Sequence, residues 1–201
     1  MPYWDWSLDW MDLTRSSIWD NSTGFGGDGD PHGAETVGKG RCVVDGPFAD
    51  LRPIIYNHTF TEHCLSRGFS DGTTAGRLSG DKFSPENMGD ILRQSNYSSF
   101  LRRVERDLHN TLHNSINGDF KAMTAANDPL FFLHHVSLDR LWWTWQRQRP
   151  QDRLEQYLGQ HMYNSTGAAE LSDQLLFDGF TKDVLVHQVM DTTKGLHCYT
   201  Y

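Results

Sequence analysis

The stretch from Asn127 to Gln146 constrains the fold more than any other part of the sequence. Asp128 is a suitable N-cap, and Pro129 suits the first position of a helix. Pro150 marks a point before which that helix must have ended, because proline neither continues a helix nor donates a backbone hydrogen bond. The stretch therefore predicts a helix of about five turns.

One face of this helix is apolar and also carries a histidine. Its apolar side chains recur at steps of three and four residues: Phe131, Leu138, Trp142 and Trp145. His135 lies on the same face, whereas His134 is turned about 100° away, so a regular helix cannot aim both imidazoles at one ligand. By itself, a histidine in an aromatic stripe is more often a core residue than a metal ligand, so the stripe alone favours a packing role for His135. If His135 does bind a ligand, we predict that His134 faces elsewhere and forms hydrogen bonds.

A second pair of histidines, His109 and His113, is spaced for metal binding. Four residues apart on a helix, two imidazoles stack on one face and can share one ion. A third imidazole from a facing helix would complete a set that copper, zinc or iron can use, and His135 is the candidate. The zinc-protease pattern needs a glutamate directly after the first histidine, and here that residue is Asn110.

These motifs, with the chain's two ends, resemble one protein family. The sequence His109-Asn110-x-x-His113, followed by the stretch from Asn127 to Trp142, resembles the second copper site of the tyrosinase, catechol oxidase and hemocyanin family. The segment 2–6 (Pro-Tyr-Trp-Asp-Trp) resembles the one that follows the family's first copper site, and 199–201 (Tyr-Thr-Tyr) resembles the tyrosine motif that closes its core domain. The resemblance spans the chain and is strongest to fungal members.

The resemblance implies a mainly α fold. Members of the family hold two coppers in a four-helix bundle, with three histidines to each ion, and the first three ligands precede the Pro-Tyr-Trp-Asp-Trp segment. We therefore expect a single domain over residues 1–201, forming a partial four-helix bundle of the type 3 copper fold. Long irregular loops are expected over residues 20–83, which are rich in glycine and aspartate. The chain is expected to be the C-terminal portion of the core and to carry only the second copper site.

The same resemblance implies a function and a set of residues. It implies copper-dependent oxidation of o-diphenols or o-aminophenols by O2, with or without hydroxylation of monophenols. His109, His113 and His135 would hold one copper ion, while Glu105 and Asn110 would assist removal of a proton from the phenol. The alternative for Glu105 is a surface ion pair with Arg102 or Arg106.

Three hypotheses about function remain open at this stage. The first is the phenol-oxidising enzyme, with another chain or segment supplying the first copper site. The second is a non-enzymatic or vestigial protein that binds a single copper, and the third, least favoured, is an oxygen carrier. Because only three of six ligands are present, we expect the isolated chain to bind at most one copper at this site and to have little or no activity.

Charge and composition exclude some partners. A net charge of −8 without a basic run argues against nucleic acid and anionic membranes as partners. No segment reaches the roughly 18 to 20 apolar residues of a membrane span, and the N-terminus lacks the basic and apolar regions of a signal peptide. The N-glycosylation sequons nevertheless favour a parent protein that is secreted. They lie at Asn21, Asn57, Asn96 and Asn164.

The remaining expectations concern helices, histidines and cysteines. A short helix is predicted to begin after Ser84, and another near Ser98 or Ser99. The core stripe of the second would be Leu101, Val104, Leu108, Leu112 and Ile116. The other histidines lack a partner at metal-ligand spacing and are interpreted as structural: His32, His58, His63, His161, His187 and His197. With three cysteines, at least one is free or pairs outside the chain.

Overall fold

The computed structural model describes residues 1–160 and 167–201, so His161 and the sequon at Asn164 lie outside the described residues. Contacts divide the chain into two compact units. The first contains residue 1, residues 90–103 and residues 139–201, and the second contains residues 2–89 and 104–138. The single domain over residues 1–201 stays a prediction.

Helices dominate the regular structure, as predicted. They are α1 (Pro85–Leu92), α2 (Tyr97–Arg103), a π-helical segment (Val104–His109), α3 (Asn110–Ile116), α4 (Leu130–Gln148) and α5 (Pro150–Arg153). Short antiparallel pairs are the strands of the described chain: β1 (Arg41–Cys42) with β4 (Ser66–Arg67), β2 (Ile55–Tyr56) with β3 (Thr59–Phe60), and β5 (Gln174–Leu175) with β6 (Val184–Leu185). None of the described helices is long and apolar enough to cross a membrane.

The region from residue 20 to residue 83 is irregular, as expected, and is tied together covalently. Cys42 and Cys64 form a disulfide, and the adjoining pairing of β1 with β4 places Cys42 opposite Ser66. Cys198 is free and exposed. A cross-link of this kind compensates for the small amount of regular structure in the region, because it limits the conformations of the unfolded chain.

Removal of this disulfide should destabilise the protein measurably. The bridge closes a loop with a sequence separation of 22 residues, and a loop of that size contributes about 3 kcal/mol in the chain-entropy model. We expect Cys42→Ser/Cys64→Ser to lower the free energy of unfolding in urea by about that amount. Cys198→Ser is the control and should leave it unchanged, since that side chain is exposed and unbridged.

Helix α4 has the bounds that its sequence predicts, but a different buried face. The Asp128 carboxylate accepts a hydrogen bond from the Leu130 amide at 3.0 Å, as an N-cap should, and the helix ends at Gln148. Its buried residues are Leu130, His134, Ser137, Leu141, Trp145 and Gln146. Trp145 is buried as predicted, but the rest of the buried face is shifted by about one residue from the predicted one, and the face that carries His135 is only half-buried.

The helical run from Tyr97 to Ile116 contains a turn that the sequence does not predict. It begins one residue before the predicted start, with the Asn96 side chain accepting from the Ser99 amide at 3.0 Å. Between α2 and α3 the chain is π-helical, so side chains on either side of this segment no longer share the faces of one regular helix. Leu101 is accordingly exposed, whereas the other four predicted stripe residues are buried.

A buried ion pair fixes the beginning of α4. The Arg67 guanidinium donates to both carboxylate oxygens of Asp128, at 2.7 and 2.9 Å, and neither side chain is accessible to solvent. The remaining Arg67 nitrogen donates to three backbone carbonyl groups, those of residues 25–27, so the glycine-rich loop is held to the same point. The start of α4 is thereby connected to β4 and to an early loop.

The other compact unit is centred on Trp145. Its ring stacks on Phe100 at 4.9 Å, and the Arg153 guanidinium lies 4.1 Å from its centroid.

The tyrosines of the closing motif both donate to one oxygen of Asp139: Tyr199 at 2.8 Å and Tyr201 at 2.6 Å. Burial, followed by the nearby Asp139 carboxylate, raises the pKa of both phenols well above the ordinary value. The two tyrosines therefore remain protonated and tie the last residues of the chain to α4.

Candidate metal centre

Three of the four neighbouring histidines form a compact group. The ring centroids of His109 and His113 lie 4.5 Å apart, and that of His135 lies 5.2 Å and 5.3 Å from them. One potential ligand atom from each ring lies within 4.8 Å of the other two. Within residues 1–160 and 167–201, this is the one group of three such side chains close enough to hold a metal ion. The predicted convergence of these three imidazoles is confirmed.

Each of the three rings has its Nδ1 atom occupied by the protein. His113 Nδ1 donates to the Phe120 carbonyl, His135 Nδ1 donates to the Phe131 carbonyl at 2.9 Å, and His109 Nδ1 lies 3.1 Å from the Asn110 side-chain oxygen. Hydrogen bonds of this kind fix the tautomer and the orientation of a ligating imidazole. They leave Nε2 of all three rings available.

The Nε2 atom of His113 supports a ligand here because, unlike the nitrogens of His134, it belongs to the group of three converging imidazoles. It is buried and has no hydrogen-bond partner among the described residues, and buried polar atoms are seldom left unsatisfied in folded proteins. A metal ion would supply the missing partner. The three residues therefore fit a metal that accepts imidazole nitrogen, such as copper.

The electrostatics keep two of these imidazoles, those of His113 and His135, in the form that binds a metal. Burial lowers the pKa of His113 to about 4, with smaller contributions from His109 and His135, and opposed by the hydrogen bond to Phe120. Burial also lowers the pKa of His135. Because a ligating imidazole must be neutral, a lowered pKa reduces competition between protons and the metal at neutral pH.

His134 does not behave as predicted. It is fully buried, but neither of its ring nitrogens has a hydrogen-bond partner among the described residues, so the prediction of hydrogen bonding is wrong. Its neighbours are rings rather than acceptors, with Trp6 at 5.3 Å and Phe120 at 5.8 Å. Burial lowers its pKa well below the ordinary value, so the ring is neutral and acts as a core side chain.

The segment that begins the chain covers His134. The Trp4 amide donates to the Leu133 carbonyl at 3.3 Å, and the Ser137 hydroxyl donates to the Trp4 carbonyl. These bonds hold the segment along α4 and place the Trp6 ring against His134. The Pro-Tyr-Trp-Asp-Trp motif therefore has a packing role next to the three-histidine group.

Glu105 and Asn110 both approach His109. Glu105 Oε1 lies 3.5 Å from His109 Nδ1, so the carboxylate and the Asn110 oxygen face the same ring nitrogen. Arg106, proposed as an alternative partner of Glu105, instead pairs with Asp107 at 2.8 Å. The structure thus brings both predicted residues to the edge of the three-histidine group.

An open pocket of about 580 Å³ adjoins the group, which is within the size range of small-molecule sites. His109, His113 and Asn110 line it, as does Phe131, whose ring stacks on His135 at 3.8 Å. The sequence predicts the histidines and Asn110, but not the roles of Phe120 and Phe131. Both act through backbone carbonyl groups, which leave no signature in side-chain identity.

Comparison with known proteins places the chain in a family. The model of the common central domain of tyrosinase matches residues 1–148. The chain belongs to the tyrosinase family. It is 60% identical to "Tyrosinase ustQ" of Aspergillus flavus, over 100% of this chain and 56% of that protein. It is 56% identical to "Tyrosinase-like protein phomQ2" of Diaporthe leptostromiformis, over 100% of this chain and 52% of that protein.

More distant tyrosinase relatives agree. The chain is 33% identical to the tyrosinase of Streptomyces antibioticus, over 75% of this chain and 55% of that protein. Among solved structures, a variant of polyphenol oxidase from Thermothelomyces thermophila matches with a TM-score of 0.76 and 25% identity, over 100% of this chain and 65% of that one. The chain thus has the mainly α fold of this copper-dependent family and spans about half the length of the curated relatives that it matches.

Proposed function

We propose that the chain binds one copper ion through the Nε2 atoms of His109, His113 and His135. The observation that carries the proposal is the convergence of three imidazoles whose ligand atoms lie within 4.8 Å of one another. Two further features support it: the Nδ1 atoms are taken by protein acceptors, and the buried His113 Nε2 has no protein partner. Imidazole ligands suit copper in both of its common oxidation states.

The activity that this site best supports is oxidation of o-diphenols or o-aminophenols by O2. When bound, copper would supply the change of oxidation state needed to pass electrons from the phenol to O2. The pocket beside the histidines is large enough to admit a phenolic ring, and Phe131 offers it an aromatic wall. Asn110 lines this pocket, and its side-chain oxygen lies close to Nδ1 of His109. Glu105 also lies close to Nδ1 of His109 but does not line the pocket.

The roles proposed for Glu105 and Asn110 come from the family resemblance, and the positions of both residues beside His109 support them. A phenol loses its hydroxyl proton on oxidation, and a carboxylate is a suitable base for that proton. Glu105 and Asn110 would together hold a water that accepts the proton, since Glu105 faces Nδ1 of His109 and not the Nε2 atom proposed to hold the metal. Because the family resemblance implies a second copper held by three further histidines, the proposed chemistry includes a first copper site on another chain or segment.

Copper stoichiometry tests the metal site. After dialysis against Cu(II) and removal of excess metal, we expect one copper per chain for the 201-residue protein. His109→Asn or His113→Asn should abolish it, because two remaining ligands bind copper far more weakly than three. His32→Asn is the matched control, because His32 is exposed and outside the group. Unchanged copper content in both ligand variants would contradict the proposal.

An activity assay separates the enzyme from the single-copper alternative. The chain alone should oxidise catechol poorly or not at all. Fused to the part of the Aspergillus flavus relative that lies upstream of the matched region, it should gain catechol oxidation that is lost with His135→Ala. A fusion that folds, binds two coppers and still does not turn over would favour the non-enzymatic alternative. Two coppers and turnover in the chain alone would contradict the proposed single site.

A further inference from the structure

Two lysines lie on the wall of the pocket beside the three-histidine group. Lys39 and Lys121 line it, and among the described lining residues none is acidic. Neither lysine forms an ion pair with a described residue. The chain has a net charge of −8. Two lysines without an acidic partner are therefore unexpected in a pocket that takes only uncharged substrates.

The backbone at Lys39 is held in a conformation that does not favour lysine. Lys39 has φ 62° and follows Gly38 with φ 60°, so two consecutive residues are left-handed. A Cβ at Gly38 would lie 2.2 Å from the Gly118 carbonyl oxygen, which shows how closely this turn packs on residue 118. Glycine or asparagine would adopt the conformation of residue 39 at lower cost. The backbone conformation of residue 39 therefore does not account for lysine at this position.

Lys121 is fixed by different contacts. It ends the 3-10 turn Gly118–Lys121, directly after Phe120, whose carbonyl orients His113. The following residues are held by the β2–β3 hairpin: the Met123 amide donates to the Asn57 side chain at 3.1 Å, and the Asn57 amide donates to Thr124 at 3.2 Å. The base of Lys121 is therefore anchored next to the proposed copper ligands.

The two lysines also mark the direction in which the pocket continues. Both line a neighbouring cavity of about 770 Å³, together with Arg41 and the partly buried Asp28. This cavity does not include the histidines. The basic side chains thus lie where the end of a substrate remote from its reacting ring would extend.

We propose that Lys39 and Lys121 select phenols that carry a carboxylate remote from the ring. The proposal rests on the proposed function of the site and names its substrate class. The ring would face the histidines, and the carboxylate would lie near the two ammonium groups. Both lysines are exposed, so each contributes about a threefold preference rather than a large one, and salt screens it. A phenol with a cationic side chain is disfavoured by the same charges.

A binding measurement on the 201-residue chain tests this without any need for turnover. The probes are 3-(4-hydroxyphenyl)propanoate, its neutral primary amide and the cationic tyramine, titrated and followed by amide NMR shifts. We expect the acid to bind about tenfold more tightly than the amide at low salt, tyramine to bind most weakly, and the differences to shrink in ~0.5 M NaCl.

Charge variants test whether Lys39 and Lys121 cause the preference for the acid over the amide. Lys39→Gln/Lys121→Gln should remove the preference for the acid, and Lys39→Arg/Lys121→Arg should restore it. Lys82→Gln/Lys182→Gln is the control, because it removes the same two positive charges at exposed lysines outside both cavities. Equal binding of acid and amide, no binding of either probe, or an unchanged preference in the double glutamine variant would each overturn the proposal. Failure of copper binding with the preference retained would instead overturn only the proposed function.

Discussion

Replacement of Asp128 by asparagine is expected to lower the free energy of unfolding by about 3–5 kcal/mol. Asp128 and Arg67 are both inaccessible to solvent and joined by two hydrogen bonds. Loss of the carboxylate charge leaves the Arg67 guanidinium buried without a counter-charge, which is costly in a medium of low polarity. Asn retains an oxygen that can cap α4, so the effect measures the ion pair rather than the cap.

Further variants separate the contribution of the ion pair from that of the helix cap. Asp128→Ala also removes the cap on the Leu130 amide and should cost about 1 kcal/mol more than Asp128→Asn. The control is Asp90→Asn, which breaks an exposed pair with Arg93 and should change stability by less than about 1 kcal/mol. Urea unfolding of the purified chains measures all three. Equal, small changes for Asp128→Asn and Asp90→Asn would contradict a structural role for the buried pair.

The sequence predicts α4 and the pairing of His109 with His113 because their determinants are local. The cap at Asp128 and the proline at 150 set the helix bounds, and the i, i+4 spacing of His109 and His113 sets their common face. The helix bounds and this histidine pair depend on residues within one or two turns of each other, which is the range over which a single sequence is most informative. His135, the third member of the group, is more than 20 residues away, and its place in the group is predicted through the family resemblance.

The features that the sequence does not predict depend on distant residues. The π-helical turn at Val104–His109 displaces Leu101 from the core, and no local pattern distinguishes this turn from a regular helix. The partnership of Arg67 with Asp128 joins residues 61 positions apart. Which face of α4 is buried depends on the segments that pack against the helix. The Trp6 ring packs on His134, so His134 lies in the core, whereas His135 is half-buried.

The adjacent residues His134 and His135 should therefore respond to alanine in opposite ways. His134→Ala removes a fully buried ring packed on Trp6 and Phe120, and should lower the free energy of unfolding by about 3 kcal/mol through the cavity that it leaves. Copper binding should be largely retained in the folded fraction, because His134 is not part of the three-histidine group. Its effect is on the core that supports the site.

His135→Ala should have the reverse effect. The ring is half-buried, so its loss should cost only about 1 kcal/mol of stability. Removal of one of three proposed ligands, however, should weaken copper binding by more than about 100-fold, since loss of a mere supporting hydrogen bond at a metal site already costs 10–100-fold. For both variants, copper titration measures the affinity for copper, and urea unfolding measures the free energy of unfolding. If His134→Ala lost copper at full stability while His135→Ala kept it, the ligand would be His134, and the face of α4 that meets His109 and His113 would have to be reassigned.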